Sequence, residues 1–182
     1  MRKVMLSILG CLIGAMVFAK TVDSIPEPEF TNEVYYYDKA NIKLIPLEKT
    51  SAEIKSKMRI IGGGSTAYAI GGERSAMRIT QQGASFLITI ANAGMMDPSV
   101  TLSLYRFESR KGRREAAMNV YGGSGSGQNN NGNAVEIRFK RVKEGTFEII
   151  VTGSLEKGEY GFVSTYSMKA GGGMTTYAFG VD

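Results

Sequence analysis

The chain has few of the residue types that carry much of the chemistry of protein sites. Its 182 residues include no histidine, no tryptophan and one cysteine, Cys11. The absence of histidine excludes a Ser-His-Asp triad, a Cys-His pair and every zinc site built on histidine. Because Cys11 is the one cysteine of the sequence, the chain that follows it has neither a thiol nucleophile nor a disulfide. The lack of tryptophan removes one platform on which sugars stack, although nine tyrosines are present.

Residues 1–19 have the features of a secretory signal. Arg2 and Lys3 precede an uncharged apolar run, and the run ends in Val17-Phe18-Ala19, the small-x-small pattern that signal peptidase cuts. The run is too short for a stable membrane span. We therefore expect cleavage after Ala19 and an exported protein, which is periplasmic, outer-membrane associated or secreted and has no transmembrane helix in its mature part.

Cys11 allows a second interpretation of the same segment. Ile8-Leu9-Gly10-Cys11 resembles a bacterial lipobox, in which the cysteine becomes the lipidated first residue. The apolar stretch before it would then be short, and the mature chain would begin with an exposed apolar tether. The cleaved signal matches the pattern better, and lipidation at Cys11 is the alternative.

The charge balance says little about partners. Removal of Arg2 and Lys3 lowers the formal net charge from +5 to +3. An excess this small concerns solubility more than recognition. Glycine-rich stretches such as Gly62-Gly63-Gly64 lack the lysine that ends a P-loop. We therefore expect no cofactor, no nucleotide and no genomic DNA as a partner.

The mature chain reads as one β domain. Residues 20–32 hold two prolines among acidic residues, which is typical of an extended lead segment. From residue 33 to 182 short alternating runs are separated by turn residues, beginning with a hairpin at residues 33–45, and a helical apolar period is missing. This pattern predicts an antiparallel all-β fold, specifically an immunoglobulin-like β-sandwich.

One motif supports the immunoglobulin-like prediction. Residues 155–160, Leu-Glu-Lys-Gly-Glu-Tyr, resemble the Leu-x-Pro-Gly-x-Tyr corner of such sandwiches, with lysine in place of proline. The comparison implies that Leu155 fills the end of the core, Gly158 allows the turn and the Tyr160 hydroxyl bonds to backbone upstream. These three residues are structural and carry no activity.

The whole mature chain also resembles uncharacterised small secreted proteins of Bacteroidota. The resemblance lies in the hairpin at residues 33–47, the Gly158-Glu159-Tyr160 corner and the terminal Phe179-Gly180-Val181-Asp182. It implies an envelope or secreted β-sandwich and brings no activity with it.

Two surface features are candidates for binding. Basic residues from Arg106 to Arg114 cluster on an expected hairpin tip, from which they would project together into solvent and grip a polyanion or a glycan. The run at residues 35–37 puts tyrosines on both faces of a strand, where an outer ring is available for a protein or glycan contact. The candidate binding residues are Tyr35, Tyr37, Arg110, Lys111, Arg113 and Arg114.

These observations favour an exported, non-catalytic module that binds a protein or a cell-surface polymer by complementarity or by strand addition. The first alternative is a polyanion- or glycan-binding protein that uses the Arg106–Arg114 hairpin. A less favoured alternative is a glycoside hydrolase, which would need two close acids. The acids available for it are Asp97, Glu108, Glu115, Glu136, Glu148 and Glu159.

Overall fold

The computed structural model describes residues 25–59, 63–80, 84–91, 97–122, 132–168 and 173–182. The expected signal peptide and Cys11 lie outside the described residues. The elements in chain order are β1 Val34–Asp38, β2 Lys43–Pro46, β3 Glu48–Arg59, β4 Gly63–Gly71, β5 Arg78–Ile79, β6 Ser85–Thr89, α1 Pro98–Thr101, β7 Leu102–Arg110, β8 Arg113–Gly122, β9 Ala134–Val135, β10 Ile137–Lys143, β11 Thr146–Val151, β12 Gly158–Met168 and β13 Met174–Val181. The prediction of an antiparallel all-β fold is confirmed: within these residues, every strand pair except β5–β13 is antiparallel.

Six of the strands close into a barrel. They follow one another in the order β12, β13, β3, β4, β8 and β7, and β7 pairs back onto β12. On its other side the beginning of β7 pairs with the short strand β9, and the end of β7 pairs with β8. The finer expectation of an immunoglobulin-like sandwich stays a prediction, since one of the two sheets is a closed barrel.

The other sheet has five strands in the order β10, β11, β6, β1 and β2. The β1–β2 hairpin is the one that the sequence predicted, with Tyr36 opposite Ile45. Its turn is held by Asp38, whose carboxylate accepts hydrogen bonds from the backbone of Ala40 and Asn41 at 3.1 and 3.2 Å. An aspartate that bonds its own backbone two residues on is a common way to stabilise such a turn.

The main core lies between this sheet and the barrel wall. The ring of Phe86 on β6 is fully buried. Its centroid lies 4.9 Å from that of Phe162 on β12 and 5.0 Å from that of Phe179 on β13. Alternation along each strand explains the arrangement, because the residues next to these rings point to the opposite faces. One face of β12 and β13 therefore covers the sheet, while the other lines the inside of the barrel.

The alternation of Val100, Leu102 and Leu104 in the sequence predicts a strand that starts at Val100, but the strand begins later. Pro98–Thr101 forms one helical turn, and the strand starts at Leu102. Asp97 caps this turn by accepting a hydrogen bond from the backbone of Ser99 at 2.9 Å, and Pro98 supplies the fixed backbone angle that suits a first helical position. The alternation of Val100 with Leu102 favoured a strand over the capped turn that Asp97 and Pro98 indicate. Val100 is 74% exposed and does not belong to the core.

The described part of the lead segment is anchored although it forms neither helix nor strand. The backbone N–H of Asn32 donates to the carbonyl of Thr89 at 2.6 Å, and the Tyr177 hydroxyl donates to the carbonyl of Asn32 at 2.8 Å. Farther back, Lys143 donates to the carbonyl of Ile25. Residues 25–32 are thus held against both layers.

Candidate functional site

The basic cluster predicted from the sequence is divided between the interior and the surface. Arg114 was expected to project into solvent, and this is wrong: its side chain is 1% exposed and points into the barrel. Alternation along β8 places Arg114 on the inner face and its neighbours Arg113 and Glu115 on the other. Arg114 is therefore unavailable to a partner at the surface.

Three other arginines of the cluster each hold a carboxylate. Arg106 pairs with Glu156, Arg110 with Glu108 and Arg113 with Glu115, at 2.6, 2.7 and 2.7 Å. Lys111 stands at the tip with Gly112, both at positive φ, as a two-residue hairpin turn requires. These pairs lower the positive potential that the sequence alone suggested for the hairpin.

The two candidate tyrosines lie on the same face of β1 but differ in exposure. Tyr35 is 6% exposed, and its hydroxyl lies 3.4 Å from the Glu33 carboxylate. Burial raises the pKa of Tyr35. Tyr37 is half-buried. Tyr35 therefore packs more than it presents a surface, and Tyr37 is the more accessible ring.

The structural corner has the geometry expected from its motif. The Tyr160 hydroxyl donates to the carbonyl of Glu156 at 2.9 Å, four residues upstream. Leu155 is 4% exposed in the main core, and the Tyr160 ring stacks on Phe179 at 5.6 Å. Gly158 has a φ of +157°. This corner fixes the chain as it enters β12.

The buried end of the barrel holds a network of ion pairs. Arg114 donates to Glu48 at 2.7 Å and lies 3.5 Å from the Glu159 carboxylate. Its guanidinium also donates to the carbonyls of Gly71 and Gly72, so that the loop after β4 is tied across the opening. The network is a closing element of the fold and offers no open site.

A second part of this network lies on the outer rim of the same end. Arg78 pairs with Glu159 and with Asp182, which Arg74 also binds at 2.9 Å. Arg78 crosses directly over Gly180, where a Cβ atom would stand 1.5 Å from its guanidinium. The glycine of the terminal Phe-Gly-Val-Asp sequence thus makes room for an ion pair.

Two acids of the hydrolase alternative lie opposite each other on the outside of the barrel. Glu108 on β7 is paired in register with Glu115 on β8. They line a depression of about 140 Å³ together with Lys55 and Asn133. Pockets that bind small molecules usually have volumes of about 300–1,000 Å³, so this depression is small for a sugar.

A larger depression lies on the outer face of the five-stranded sheet. We call it the outer groove; it has a volume of about 760 Å³ and is lined by Lys39, Ser85, Lys140, Glu148 and Ile150, among others. Strand register brings these residues together, because Glu148 on β11 is opposite Lys140 on β10, and Ile150 is opposite Ser85 on β6. Lys39 reaches in from the β1–β2 turn.

Glu148 is the organising side chain of the outer groove. Its Oε1 atom accepts a hydrogen bond from the Ser85 hydroxyl at 2.7 Å and lies 2.6 Å from the Lys39 ammonium. Burial acts to raise the pKa of the Glu148 carboxyl, but the hydrogen bonds from Lys39 and Ser85 and the charges of Lys39 and Lys140 outweigh it and hold that pKa below its ordinary 4.5. The groove therefore presents two lysines on either side of one fixed carboxylate.

The sequence prediction did not include this groove, and of its residues only Glu148 was considered for a chemical role, as an acid available to a hydrolase. A signal was present in β10, where basic residues occupy four of seven positions and no acidic residue occurs. The sequence of β10 alone does not show which of these basic side chains have a carboxylate or an aromatic ring beside them. In the structure Arg138 lies 3.8 Å from Glu136, and the Arg141 guanidinium lies over the ring of Phe147.

The described residues contain no group of three or more acids, histidines or cysteines suited to hold a metal ion. Nor does any helix in that part of the chain have the length and apolar character needed to cross a membrane. Comparison with known proteins found no family model, no curated protein and no solved structure that matches the chain.

Proposed function

We propose that the protein is an exported, non-catalytic module of the cell envelope or the secreted fraction, and that it binds a cell-surface polymer in the outer groove. The observation that carries this proposal is the groove itself, which is open, large and lined by two lysines, a serine and a carboxylate. Its volume lies in the range of ligand-binding pockets, and convergent polar groups in such a depression give orientation to a ligand.

The proposal includes the prediction of an immunoglobulin-like sandwich only for the way in which the five-stranded sheet packs on its neighbour. An immunoglobulin-like sandwich would present the outer face of one sheet to partners, and here the five-stranded sheet is the layer whose inner face packs on the barrel through Phe86. The Tyr160 corner supports this comparison. Export rests on the signal at residues 1–19, which the sequence predicts.

Binding to an immobilised polymer tests the proposal. Mature protein would be passed over envelope polysaccharide from the cells that make it, at about 50 and about 500 mM salt, because attraction between exposed charges is screened at the higher value. We expect retention at low salt that a Lys39→Ala/Lys140→Ala variant loses. An Arg110→Ala/Lys111→Ala variant removes the same amount of charge from the hairpin and should be retained.

The reverse result would favour the first alternative, in which the Arg106–Arg114 hairpin binds a polyanion. Equal retention of both variants would contradict binding through either surface. The depressions beside Arg110 and Arg113 of the hairpin have volumes of about 140 and 210 Å³, and this is the reason for placing the outer groove, of about 760 Å³, ahead of the hairpin.

A protein partner is the other class that the sequence predicted. Strands β2 and β10 are the edges of the five-stranded sheet, where strand addition takes place. Edge strands rich in lysine and arginine resist pairing with other strands, and β10 is such a strand. The basic edge therefore favours a polymer over an added strand.

The opposed pair Glu108 and Glu115 keeps a hydrolase as an alternative that an assay can remove. Polymer retained by the outer groove would be incubated with the protein, and the release of reducing ends would be measured. We expect none. Release that disappears in both Glu108→Gln and Glu115→Gln would replace the binding proposal with glycoside hydrolysis.

A further inference from the structure

The arrangement of charges in the outer groove points to the chemistry of its ligand. We infer that the ligand is an acidic polysaccharide, in which carboxylates are spaced along a chain of sugars that bear hydroxyl groups. This inference rests on the proposed function and names the class of polymer that the groove holds.

The cations of the groove favour sparse negative charge on the ligand. Lys39 and Lys140 lie on either side of Glu148, so the three side chains together carry one net positive charge. A polymer with a charge on every unit would meet the Glu148 carboxylate as well as the lysines and would be repelled there. A polymer with separated carboxylates can place one carboxylate on each lysine and a neutral, hydroxyl-bearing unit over Glu148, and so avoids this repulsion.

The cations of the groove hold an anion through single charge pairings. Lysine presents a point charge with three donors, whereas the planar fork of arginine holds a carboxylate or a phosphate through two bonds at once. Among the described residues that line the outer groove there is no arginine. Arg138 lies on the same face of β10 as Lys140 and has Glu136 beside it.

Glu148 gives the groove a fixed acceptor for sugar hydroxyls. Among the contacts of the described residues, Lys39 and Ser85 both meet its Oε1 atom, which leaves Oε2 to accept from a ligand. A carboxylate held in this way is already oriented before the ligand arrives, so that little side-chain freedom is lost on binding. Hydrogen bonds to charged acceptors are about twice as strong as those between neutral groups.

An apolar side chain completes the match to a sugar. Ile150, in the row next to Glu148 on β11, is 42% exposed and lines the same groove. Sugar rings combine hydroxyl groups with an apolar C–H face, and that face can lie on Ile150 while the hydroxyls meet Glu148. A linear polyphosphate has no such apolar face.

The test compares three polymers on the mature protein and on Glu148→Gln by calorimetry. The probes are hyaluronan, which bears a carboxylate on every second sugar and is rich in hydroxyls, neutral dextran and linear polyphosphate. We expect wild type to bind hyaluronan more tightly than the other two. The Glu148→Gln change should lower the ratio of hyaluronan affinity to polyphosphate affinity about tenfold, because a charged hydroxyl acceptor is lost and a repulsion is relieved.

An unchanged ratio, with both polyanions bound more tightly by Glu148→Gln, would show a site that reads charge alone and would overturn the inference. Thermal unfolding would verify that the variant folds. If it does not fold, the same affinity ratio would be measured on Ser85→Ala. This change removes a hydrogen bond to the Glu148 carboxylate without changing any charge, and we expect a smaller fall in the ratio.

Failure of the inference can be distinguished from failure of the proposed function. Wild type that binds none of the three probes but is retained on envelope polymer through Lys39 and Lys140 would overturn the ligand class alone. Wild type that neither binds a probe nor is retained on envelope polymer would overturn both.

Discussion

Arg114 on β8 and Glu48 on β3 form an ion pair of 2.7 Å inside the barrel, although 66 positions separate them in the chain. The arginine is 1% exposed, so its charge is compensated by protein groups rather than by water. Removal of one partner of a buried ion pair destabilises a fold far more than replacement of both partners by apolar residues does. The reason is that the remaining charge is left buried without compensation.

We expect Arg114→Met to lower the free energy of unfolding by about 3–5 kcal/mol, because Glu48 and Glu159 would lose their shared cation. Urea denaturation would measure the change. Arg113→Met is the matched control: the neighbouring side chain is 48% exposed, and its loss should change stability by about 1 kcal/mol or less. Equal effects of the two changes would contradict the role assigned to Arg114.

Stability should be insensitive to pH near neutrality and should fall in acid. Burial acts to raise the pKa of Glu48, but the hydrogen bonds from Arg114, Ser75 and Ala76 and the charge of Arg114 outweigh it and hold that pKa below its ordinary 4.5. Lys39, Ser85 and Lys140 outweigh burial in the same way and lower the pKa of Glu148. A carboxyl with a lowered pKa in the folded state contributes stability above about pH 4.5, which is lost as the pH falls through the folded value. The chain has no histidine to titrate near pH 6.5.

Unfolding followed between about pH 3 and pH 8 would check this profile. We expect a plateau above about pH 5 and a decline below about pH 4.5, with a shallower decline in Glu48→Gln. A slope between pH 6 and pH 8 would contradict the assignment.

A second loss of stability should occur in alkali. Burial raises the pKa of Tyr68 from 10.0 to about 12, with smaller contributions from the nearby Tyr105. A group with a raised pKa stabilises the fold below its unfolded value and loses that contribution as the pH rises through the folded one. Stability should therefore fall between pH 10 and pH 12, and tyrosinate absorbance would show Tyr68 titrating late. Tyr68→Phe should remove part of the decline.

Tyr160→Phe should lower the free energy of unfolding by about 0.5–1.5 kcal/mol, because the ring stays packed on Phe179 while the bond to the Glu156 carbonyl is lost. Tyr177→Phe is a paired change that removes the bond to Asn32 in the lead segment. We expect it to speed proteolysis within residues 25–32, which Tyr160→Phe should leave unchanged. Faster cleavage in Tyr160→Phe alone would reverse these roles.

The local features of the fold could be predicted from the sequence, because their signals lie within a few residues. The hairpin at residues 33–45 and the corner at Tyr160 depend on turn residues and on alternation. Closure of the barrel could not be predicted in this way, since it depends on the pairing of β12 with β7 and of β13 with β3.

The burial of Arg114 and the outer groove were missed for the same physical reason. Arg114 alternates with Arg113 and Glu115, so both faces of β8 carry charge and the period of two does not identify the inner one. Its partners Glu48 and Glu159 come from distant strands. The outer groove likewise combines residues of the β1–β2 turn and of three strands that only the sheet order brings together.

The pairing of β3 with β13 also bears on how the molecule forms. Ala52 lies opposite Met174 and Glu48 opposite Ala178, so the two strands come from distant parts of the chain. During synthesis β3 must therefore wait, with one edge unpaired, until β13 has emerged. Contacts of such high sequence separation form slowly, in about milliseconds to seconds. Until the barrel closes, the unpaired edge of β3 can pair with other strands.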